Sequence, residues 1–434
     1  MEVARELPAL WGGIECTVNR VKDCFFDQLE FSGHAERASD LELFAELGLT
    51  TLRYPLIWER AQPKLGRAPD FRWADERLGL CHELGISPIA GLLHHGSGPA
   101  GTCLTDALFA DRFAEYAGGV ARRYPWLERF TPINEPLTTA RFSGLYGHWF
   151  PHGKDDACFV RALLNQCRAT ALAMAAIRQV IPGAKLVQTE DMGIVRSTPE
   201  LEYQADFENE RRWLSFDLLC GRVTSHHPLY GYLRHAKASE RELAFFVENP
   251  CPPDLLGINY YATSERFLDG RIANYPRELV GGNHYHRYAD VEAVRVCSNG
   301  LVGPASILRS AHARYGKPMA VTEAHLGCSA LEQGRWLSYM YNSAAAARDA
   351  GAEVVAVTVW ALLGAFGWSS LVTRGKCDYE PGVFSVMSGT PQPTALAGWL
   401  EDFTGPNPCL DEDGWWTRAE RLTYEPYVER SRAA

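Results

Sequence analysis

The sequence lacks a long apolar run, a basic patch and a secretory start, and each absence excludes a class of function. No segment approaches the roughly 20 consecutive apolar residues that a membrane-spanning helix needs. The 434 residues carry a net charge of −10 with no basic stripe to neutralise phosphates, so nucleic acid is not an expected partner. The opening MEVARELPALWGG has neither the basic segment nor the apolar core of a signal peptide, although a mature chain would have lost one.

Paired cysteines are also missing. The twelve cysteines stand singly, without a C-x-x-C pair or a Cys/His ladder of zinc spacing, and we interpret them as buried reduced thiols of a cytoplasmic protein. The paired histidines at 94–95 and 226–227 lack acidic partners at metal-binding spacing, and NHYHRY (283–288) is the nearest approach to a zinc ligand set. We therefore expect no metal and no other cofactor.

Eight short apolar segments recur along the chain. Most are continuous apolar runs, a pattern typical of parallel strands that are buried on both faces. The eight predicted strands are ALWGG (9–13), TTLRYPL (50–56), SPIAGLL (87–93), RFTPIN (129–134), AKLVQTE (184–190), DLLGINY (254–260), PMAVTEA (318–324) and VVAVTVW (354–360).

Segments with helical periodicity lie between several of these strands. They cover residues 38–48, 75–85, 105–124 and 161–181, and the first ends at Gly48, a residue typical of helix C-termini. The alternation predicts an α/β protein, a single (β/α)₈ TIM barrel domain over residues 1–434. A doubly wound open sheet is the alternative, but the first strand is not followed by its usual glycine-rich phosphate loop.

Two connections are longer than a barrel requires. Residues 191–253 and 262–310 exceed the length of one helix, and long barrel loops are usually functional. Barrel chemistry occurs at the C-terminal ends of the strands, so we expect these long loops to wall the mouth of a pocket there.

Two carboxylates stand at the C-terminal ends of predicted strands. The fourth strand delivers Asn134 and Glu135, and the seventh delivers Glu323. Since strands four and seven lie on roughly opposite sides of an eight-stranded barrel, the two side chains can face each other across its mouth. Two carboxylates across a sugar-sized gap can cleave a glycosidic bond: one protonates the departing oxygen, while the other attacks the anomeric carbon or activates water. One must be held protonated and the other ionised. Either glutamate alone could equally be a helix cap or an ion-pair partner.

Seven motifs in this order resemble glycoside hydrolase family 1, the β-glucosidase family, from about residue 10 to residue 403. The start LWGG is similar to that of the family, and LRYPLIWER follows its Arg-Phe-Ser-x-x-Trp-x-Arg strand through Arg53, Trp58 and Arg60. The remaining matches are GLLHHGSGP, TPINEP, LLGINYYA, AVTEAH and VTVWALLGAFGW.

The resemblance implies roles for matching positions. Glu135 would be the general acid/base and Glu323 the nucleophile of a retaining β-glycosidase that acts on a carbohydrate. Arg53 would lie beneath the nucleophile and hold it ionised, while Asn134 would contact the 2-hydroxyl of the sugar. The other implied contacts are Tyr261 with the nucleophile, Asn259 at the same strand end, His94 with a sugar hydroxyl, and Trp360 against the face of the ring.

Departures from the family pattern cluster where the terminal sugar would bind. Asn19 replaces a glutamine, His95 a tryptophan, and Gly367 a glutamate that takes two glucose hydroxyls in the family, whereas Trp368 is kept. Losing such hydrogen bonds shifts substrate preference strongly. We therefore predict a glycone other than plain glucose: a pentose, a 6-deoxy sugar, or a sugar substituted at O4 or O6. Candidates for replacement contacts are Glu15, Arg141, Tyr146, His148 and Arg374.

Two other functions fit the same residues. A transglycosylase shares the first half-reaction, and a non-catalytic carbohydrate-binding or scaffold relative would keep the fold. The latter has no need of the complete catalytic set. We expect the aromatic tail, residues 404–434, to dock on the barrel, because exposed tryptophans are a liability; a connection to a partner is the alternative. The sequence carries no prediction of the oligomeric state.

Overall fold

In the computed structural model, residues 7–404 and 413–418 are described. Eight parallel strands pair in the order β1-β8-β7-β6-β5-β4-β3-β2 and close on themselves, which confirms the predicted (β/α)₈ barrel and excludes an open sheet. The strands are β1 Ala9–Gly13, β2 Thr51–Pro55, β3 Ser87–His94, β4 Arg129–Asn134, β5 Lys185–Asp191, β6 Leu255–Asn259, β7 Met319–Ala324 and β8 Val354–Val359.

Helices surround the barrel. The main ones are α1 Asp40–Glu46, α2 Arg72–Glu83, α3 Phe109–Arg123, α4 Asp156–Val180, α5 Glu240–Glu248, α6 Pro304–Tyr315, α7 Ala330–Asp349 and α8 Ala395–Thr404. Further helical segments are Gln28–Ser32, Trp58–Ala61, Pro136–Ala140, Glu202–Arg211, Leu214–Leu219 and Tyr230–His235, with a wider π-helical turn at Arg141–Leu145. Gly48 and Gly85 follow α1 and α2 with φ of 75° and 69°, a left-handed conformation that glycine adopts without strain.

The strands separate two apolar regions. Every residue of β2 and β7 is buried, as expected of strands covered on both faces. A small cluster from five strands forms apart from the main core between strands and helices, which places it inside the barrel, as in other filled barrels. It contains Trp11, Ile89, Val187, Ala320 and Ala356.

The two long connections are not loops throughout. Val195–Ser197 follows β5 and Arg266–Asp269 follows β6, and they pair in a four-stranded sheet with Val280–Gly282 and Arg287–Glu292. The first connection also holds several helices, of which α5 leads back to β6. Both connections therefore leave the C-terminal ends of their strands through this added sheet. Smaller two-stranded pairings join Val18–Val21 to Cys24–Asp27, Ala365–Phe366 to Tyr379–Glu380, and Phe384–Ser385 to Gln392–Pro393.

The C-terminal segment 413–418 contacts α7. Trp416 is 1 % exposed and packs edge-to-face on Trp336, with ring centroids 4.8 Å apart. The backbone N–H of Trp415 donates to a carboxylate oxygen of Glu332 at 2.9 Å. Docking of the rest of the tail lies outside the described residues and stays a prediction, as does the single-domain boundary.

The described cysteines are all free thiols, but fewer are buried than we expected. Only Cys16, Cys81, Cys167 and Cys251 are buried, whereas Cys24 is exposed and the other described thiols are partly exposed. In the same described ranges, no helix is both long and apolar enough to cross a membrane.

Phe113 on α3 should be important for stability, because it is fully buried between Trp58 and Phe109, with ring centroids 5.5 Å and 6.3 Å away. We expect Phe113→Ala to lower the free energy of unfolding by about 3–5 kcal/mol through lost burial and the cavity left behind. Denaturant titration measures the change. The control is Leu108→Ala at the exposed start of the same helix, for which less than about 0.5 kcal/mol is expected. Equal losses in the two variants would contradict this packing.

Candidate active site

Glu135 stands at the junction between β4 and the helix Pro136–Ala140. Its backbone has φ 46° and ψ 62°, a left-handed conformation that is rare for a non-glycine residue. The carboxylate of Glu190, at the end of β5, accepts hydrogen bonds from the backbone N–H groups of Leu137 and Thr138 at 2.9 Å and 3.1 Å. A buried acid thus holds the first turn of this helix, which fixes the backbone that carries Glu135.

Glu323 lies on β7, within a strand whose six residues are all buried. Arg53 on β2 donates from Nη1 to Glu323 Oε1 at 2.7 Å, and from Nη2 to Asn134 Oδ1 at 2.6 Å. The hydroxyl of Tyr261 donates to the second oxygen of Glu323. Both carboxylate oxygens are therefore held, so the side chain has a fixed orientation.

Asn259 links the two carboxylates. Its amide nitrogen donates to Glu135 Oε1 at 2.5 Å, and its Oδ1 accepts from the hydroxyl of Thr322 at 2.6 Å. In the pairing of β6 with β7, Asn259 is also the direct neighbour of Glu323. Residues from β4, β6 and β7 thus meet at one end of the barrel.

Burial and charge act differently on the two glutamates. Burial raises the pKa of Glu135 well above its usual value, and the negative charges of Glu323, Asp191 and Glu190 raise it further. Burial also raises the pKa of Glu323, but the Arg53 charge and hydrogen bonds from Tyr261 and Arg53 oppose that rise. Of the two carboxylates, only Glu323 accepts a hydrogen bond from a cation, which favours its ionised form. When the pair holds one proton, that proton is therefore on Glu135, and Glu323 is ionised.

Two neutral histidines flank the asparagine of β4. His94 Nε2 lies 3.2 Å from the amide nitrogen of Asn134, and its ring stacks on Trp360 with centroids 5.6 Å apart. His95 Nδ1 lies 2.9 Å from the hydroxyl of Thr139, and Nε2 lies 3.7 Å from Glu135 Oε2. Burial lowers the pKa of both rings, that of His95 to about 3, so both are uncharged at neutral pH.

Trp368, Asn19 and Gly367 complete the predicted sugar-binding set. Trp368 packs edge-to-face on His95 at 5.6 Å and donates from Nε1 to Glu15 Oε2 at 3.1 Å. Asn19 is fully buried, and its amide nitrogen donates to the carbonyl of Val372 at 3.0 Å. Gly367 has φ 72°, a backbone conformation that disfavours other residues, although a Cβ there would make only ordinary van der Waals contact, 3.5 Å from the sulfur of Cys377.

The five candidates for replacement contacts fall into two groups, those that are at least partly buried and those that are exposed. Glu15 is buried beside Trp368, and Arg141 donates from Nη2 to the hydroxyl of Tyr146 at 3.2 Å. His148 and Arg374 are exposed.

Sequence reasoning missed Glu190, Asp191 and Trp149. Asp191 pairs with Asn259 in the register between β5 and β6, and Trp149 packs on both His95 and Trp368, with centroids 5.3 Å and 6.3 Å away. Glu190 ends the fifth predicted strand and Asp191 directly follows it, and this acidic pair was a signal for both residues. Trp149 lies outside every predicted element. Across the described ranges, no group of three side chains has the arrangement of a metal site.

A family model described as glycosyl hydrolase family 1 matches residues 32–374. The chain belongs to glycosyl hydrolase family 1. Similar curated proteins include a 6-phospho-beta-glucosidase of Dickeya chrysanthemi, 26% identical over 381 residues, which are 78% of this chain and 76% of that protein. Beta-glucosidase 4 of Oryza sativa subsp. japonica is 25% identical over 452 residues, which cover 91% of this chain and 89% of that protein. The predicted family is thus confirmed, and the protein is a retaining glycoside hydrolase.

Solved structures of family 1 enzymes share the fold. The beta-glucosidase from Thermotoga maritima in complex with deoxynojirimycin has a TM-score of 0.71 and 18% identity over 90% of this chain and 96% of that chain. The complex of the same enzyme with noeuromycin gives a TM-score of 0.72, also at 18% identity, over 91% of this chain and 98% of that chain. At this level of identity the likeness shows the barrel and does not transfer residue roles.

Arg53→Lys tests the network beneath Glu323. A lysine keeps the charge but cannot reproduce the guanidinium fork that reaches Glu323, the carbonyl of Thr322 and Asn134 together. We expect kcat/KM to fall by about 10²-fold, a typical effect of losing one oriented donor. Since fewer hydrogen bonds then favour the ionised carboxylate, the acidic limb of the pH profile should move to higher pH. Steady-state kinetics against pH measures both effects.

Arg129→Lys is the matched control. Arg129 lies at the N-terminal end of β4, where its guanidinium contacts Trp11 and the hydroxyl of Ser87. It can affect stability, but it should leave the pH profile unchanged. A profile of Arg53→Lys that matches the parent enzyme would contradict the assigned role of Arg53.

Proposed function

We propose that this family 1 enzyme cleaves a β-glycoside by double displacement, with Glu323 as nucleophile and Glu135 as acid/base. The ionised carboxylate of Glu323 attacks the anomeric carbon as the bond to the leaving oxygen breaks, and Glu135 gives that oxygen its proton. In the second step Glu135 takes a proton from water, the water oxygen bonds to the anomeric carbon, and Glu323 is released.

The main support is the unequal environment of the two carboxylates around Asn259. Glu323 is paired with Arg53 at 2.7 Å, whereas among the described residues the Glu135 carboxyl accepts a hydrogen bond only from the neutral amide of Asn259 and lies near three other acidic side chains. Groups whose surroundings separate their pKa values in this way are suited to opposite roles in acid–base chemistry. Asn134, held by Arg53, is the candidate for contacting the 2-hydroxyl of the sugar.

For the glycone, we propose an uncharged sugar other than plain glucose. Gly367 offers no carboxylate, and the buried Glu15 adds negative charge near Glu323. A sugar phosphate would meet these two acids, while Arg53 is already bound and the nearby Arg374 and Lys376 are exposed. These charges oppose a phosphorylated substrate, although two similar curated proteins carry phospho-glucosidase names.

A panel of aryl β-glycosides tests both parts. It should contain the glucoside, a pentoside, a 6-deoxy glycoside, a disaccharide glycoside and a 6-phosphoglucoside. We expect at least one uncharged member other than glucoside to exceed the glucoside in kcat/KM by about tenfold or more, an effect of the size that unmatched polar contacts produce. Proton NMR should show the β-anomer as the first product. A preference for glucoside or for the phosphorylated sugar would contradict the glycone assignment, and an α-anomer first would contradict the mechanism.

A further inference from the structure

Glu15 is a buried carboxylate that the catalytic steps do not use. It follows β1, is 5 % exposed, and has no ion pair with a basic side chain within the described ranges. Oε1 accepts from the backbone N–H of Thr17 at 2.9 Å, and Oε2 accepts from Nε1 of Trp368 at 3.1 Å. A carboxylate buried without a cation is costly unless its oxygens are well hydrogen-bonded. This residue therefore requires an explanation beyond packing.

Glu15 lies close to the catalytic residues. The charge of Glu323 contributes to raising the pKa of Glu15, and the charge of Glu15 contributes to raising the pKa of the Tyr261 hydroxyl. Its partner Trp368 packs against His95, which itself lies 3.7 Å from Glu135. Glu15 thus lies on the same side of the barrel as both catalytic carboxylates.

The same segment carries a further buried polar atom with unused capacity. Asn19 Oδ1 has no hydrogen-bond partner among the described residues, although the side chain is fully buried. Buried polar atoms are rarely left unsatisfied in a folded protein. An ionised carboxylate has about four acceptor sites, so Glu15 retains roughly one or two after its bonds to Thr17 and Trp368. Glu15 is thus a buried acceptor with spare capacity and no paired basic side chain within the described ranges.

We propose that Glu15, oriented by Trp368, accepts hydrogen bonds from hydroxyl groups of the glycone and is a specificity-determining residue of this enzyme. This inference rests on the proposed β-glycosidase function. The ligand chemistry it selects is an uncharged sugar with one or two free hydroxyls directed at Glu15. Substitution of those oxygens, or their removal, weakens the transition-state complex.

Proton binding to Glu15 gives a second consequence. Burial raises the pKa of this carboxyl to about 6. Above that pH the ionised group can accept further hydrogen bonds from a ligand, and below it the protonated group loses acceptor capacity. Removing its charge also lowers the pKa of Glu323, because like charges oppose each other's ionisation. Glu15→Gln should therefore move the acidic limb of kcat/KM to lower pH.

The test combines Glu15→Gln with monodeoxy versions of the best aryl glycoside from the panel. With the parent enzyme, one or two deoxy positions should lower kcat/KM by about 10²-fold or more, since a site built for a hydroxyl rejects its absence. In Glu15→Gln the penalty at those positions should shrink to about tenfold or less, and penalties at the other positions should persist. Identical deoxy patterns in the two enzymes would overturn the inference.

Glu59→Gln is the matched control. Glu59 is equally buried, has no ion pair within the described ranges and accepts from the N–H of Gly98 at 2.8 Å, but Glu323 does not contribute to its raised pKa. Its deoxy pattern should match that of the parent enzyme. If Glu15→Gln fails to fold, Trp368→Phe removes the indole donor and keeps a ring, and it should reduce the penalty at the same positions. An unchanged pattern in Trp368→Phe would count against the inference.

Labelling separates this inference from the function on which it rests. An activated 2-fluoro glycoside should label Glu323 in the parent enzyme and in Glu15→Gln. Labelling together with unchanged deoxy patterns would overturn only the role of Glu15. Absence of labelling at Glu323 in the parent enzyme would overturn the proposed function itself.

Discussion

Replacing Glu323 with alanine should lower kcat by on the order of 10⁵-fold for every aryl glycoside. A nucleophile held in place contributes an effective concentration that bulk water cannot match. Here Arg53 and Tyr261 hold both oxygens of the carboxylate, so it loses little conformational entropy when it attacks the anomeric carbon. Stopped and continuous assays of aryl alcohol release, made at saturating substrate, measure the loss.

Azide provides a sharper readout of the same variant. The small anion can enter the space left by the side chain and attack the anomeric carbon from the face that Glu323 used. The product should be the glycosyl azide of inverted, α configuration, identified by NMR. Glu353→Ala removes an exposed carboxylate just before β8 and should keep full activity. A Glu323→Ala variant within tenfold of the parent enzyme would contradict the assignment of the nucleophile.

Glu135→Ala should split substrates according to their leaving groups. Loss of a general acid typically costs 10²–10⁴-fold, and the cost falls on leaving groups that need a proton. We expect about 10³-fold loss in kcat/KM for alkyl or unactivated phenyl glycosides and little loss for dinitrophenyl glycosides. The basic limb of the pH profile should disappear, because it reports deprotonation of Glu135, whose pKa is raised by burial and by nearby carboxylates.

Asp191→Asn provides the electrostatic control for that interpretation. The charge of Asp191 contributes to the raised pKa of Glu135, so its removal should move the basic limb to lower pH. The dependence on leaving group should stay as in the parent enzyme. Equal losses of Glu135→Ala across all leaving groups would contradict an acid role for Glu135.

The barrel was predictable because its signal is local. Most strands are continuous apolar runs, and the eight observed strands differ from the predicted ones by one residue or less at every end. The four-stranded sheet after β5 and β6 was not predicted. Its strands are only three to six residues long, and the pairing of Val195–Ser197 with Arg266–Asp269 joins two different barrel connections, so no short window of sequence carries the whole pattern.

The strand-end residues of the candidate site were predictable from the sequence, but the hydrogen bonds that hold the site residues in place were not. Glu135 and Glu323 follow or end apolar runs, which marks them even without the family motifs. The bond from Trp368 to Glu15 joins residues 353 positions apart, and the bond from Asn259 to Glu135 spans 124. Such contacts depend on barrel closure, which aligns strand ends that are distant in sequence. The glycone departures at Asn19, His95 and Gly367 were visible, but their meaning depends on neighbours such as Trp149.

Covalent trapping is the most direct test of the proposed chemistry. The enzyme is incubated with an activated 2-deoxy-2-fluoro glycoside of the preferred glycone, digested, and mapped by tandem mass spectrometry. The account predicts one fluoroglycosyl adduct, on Glu323 within the peptide segment AVTEAH, with inactivation proportional to labelling. A stable adduct on Glu135 or any other side chain, or full inactivation without an adduct on Glu323, would contradict it.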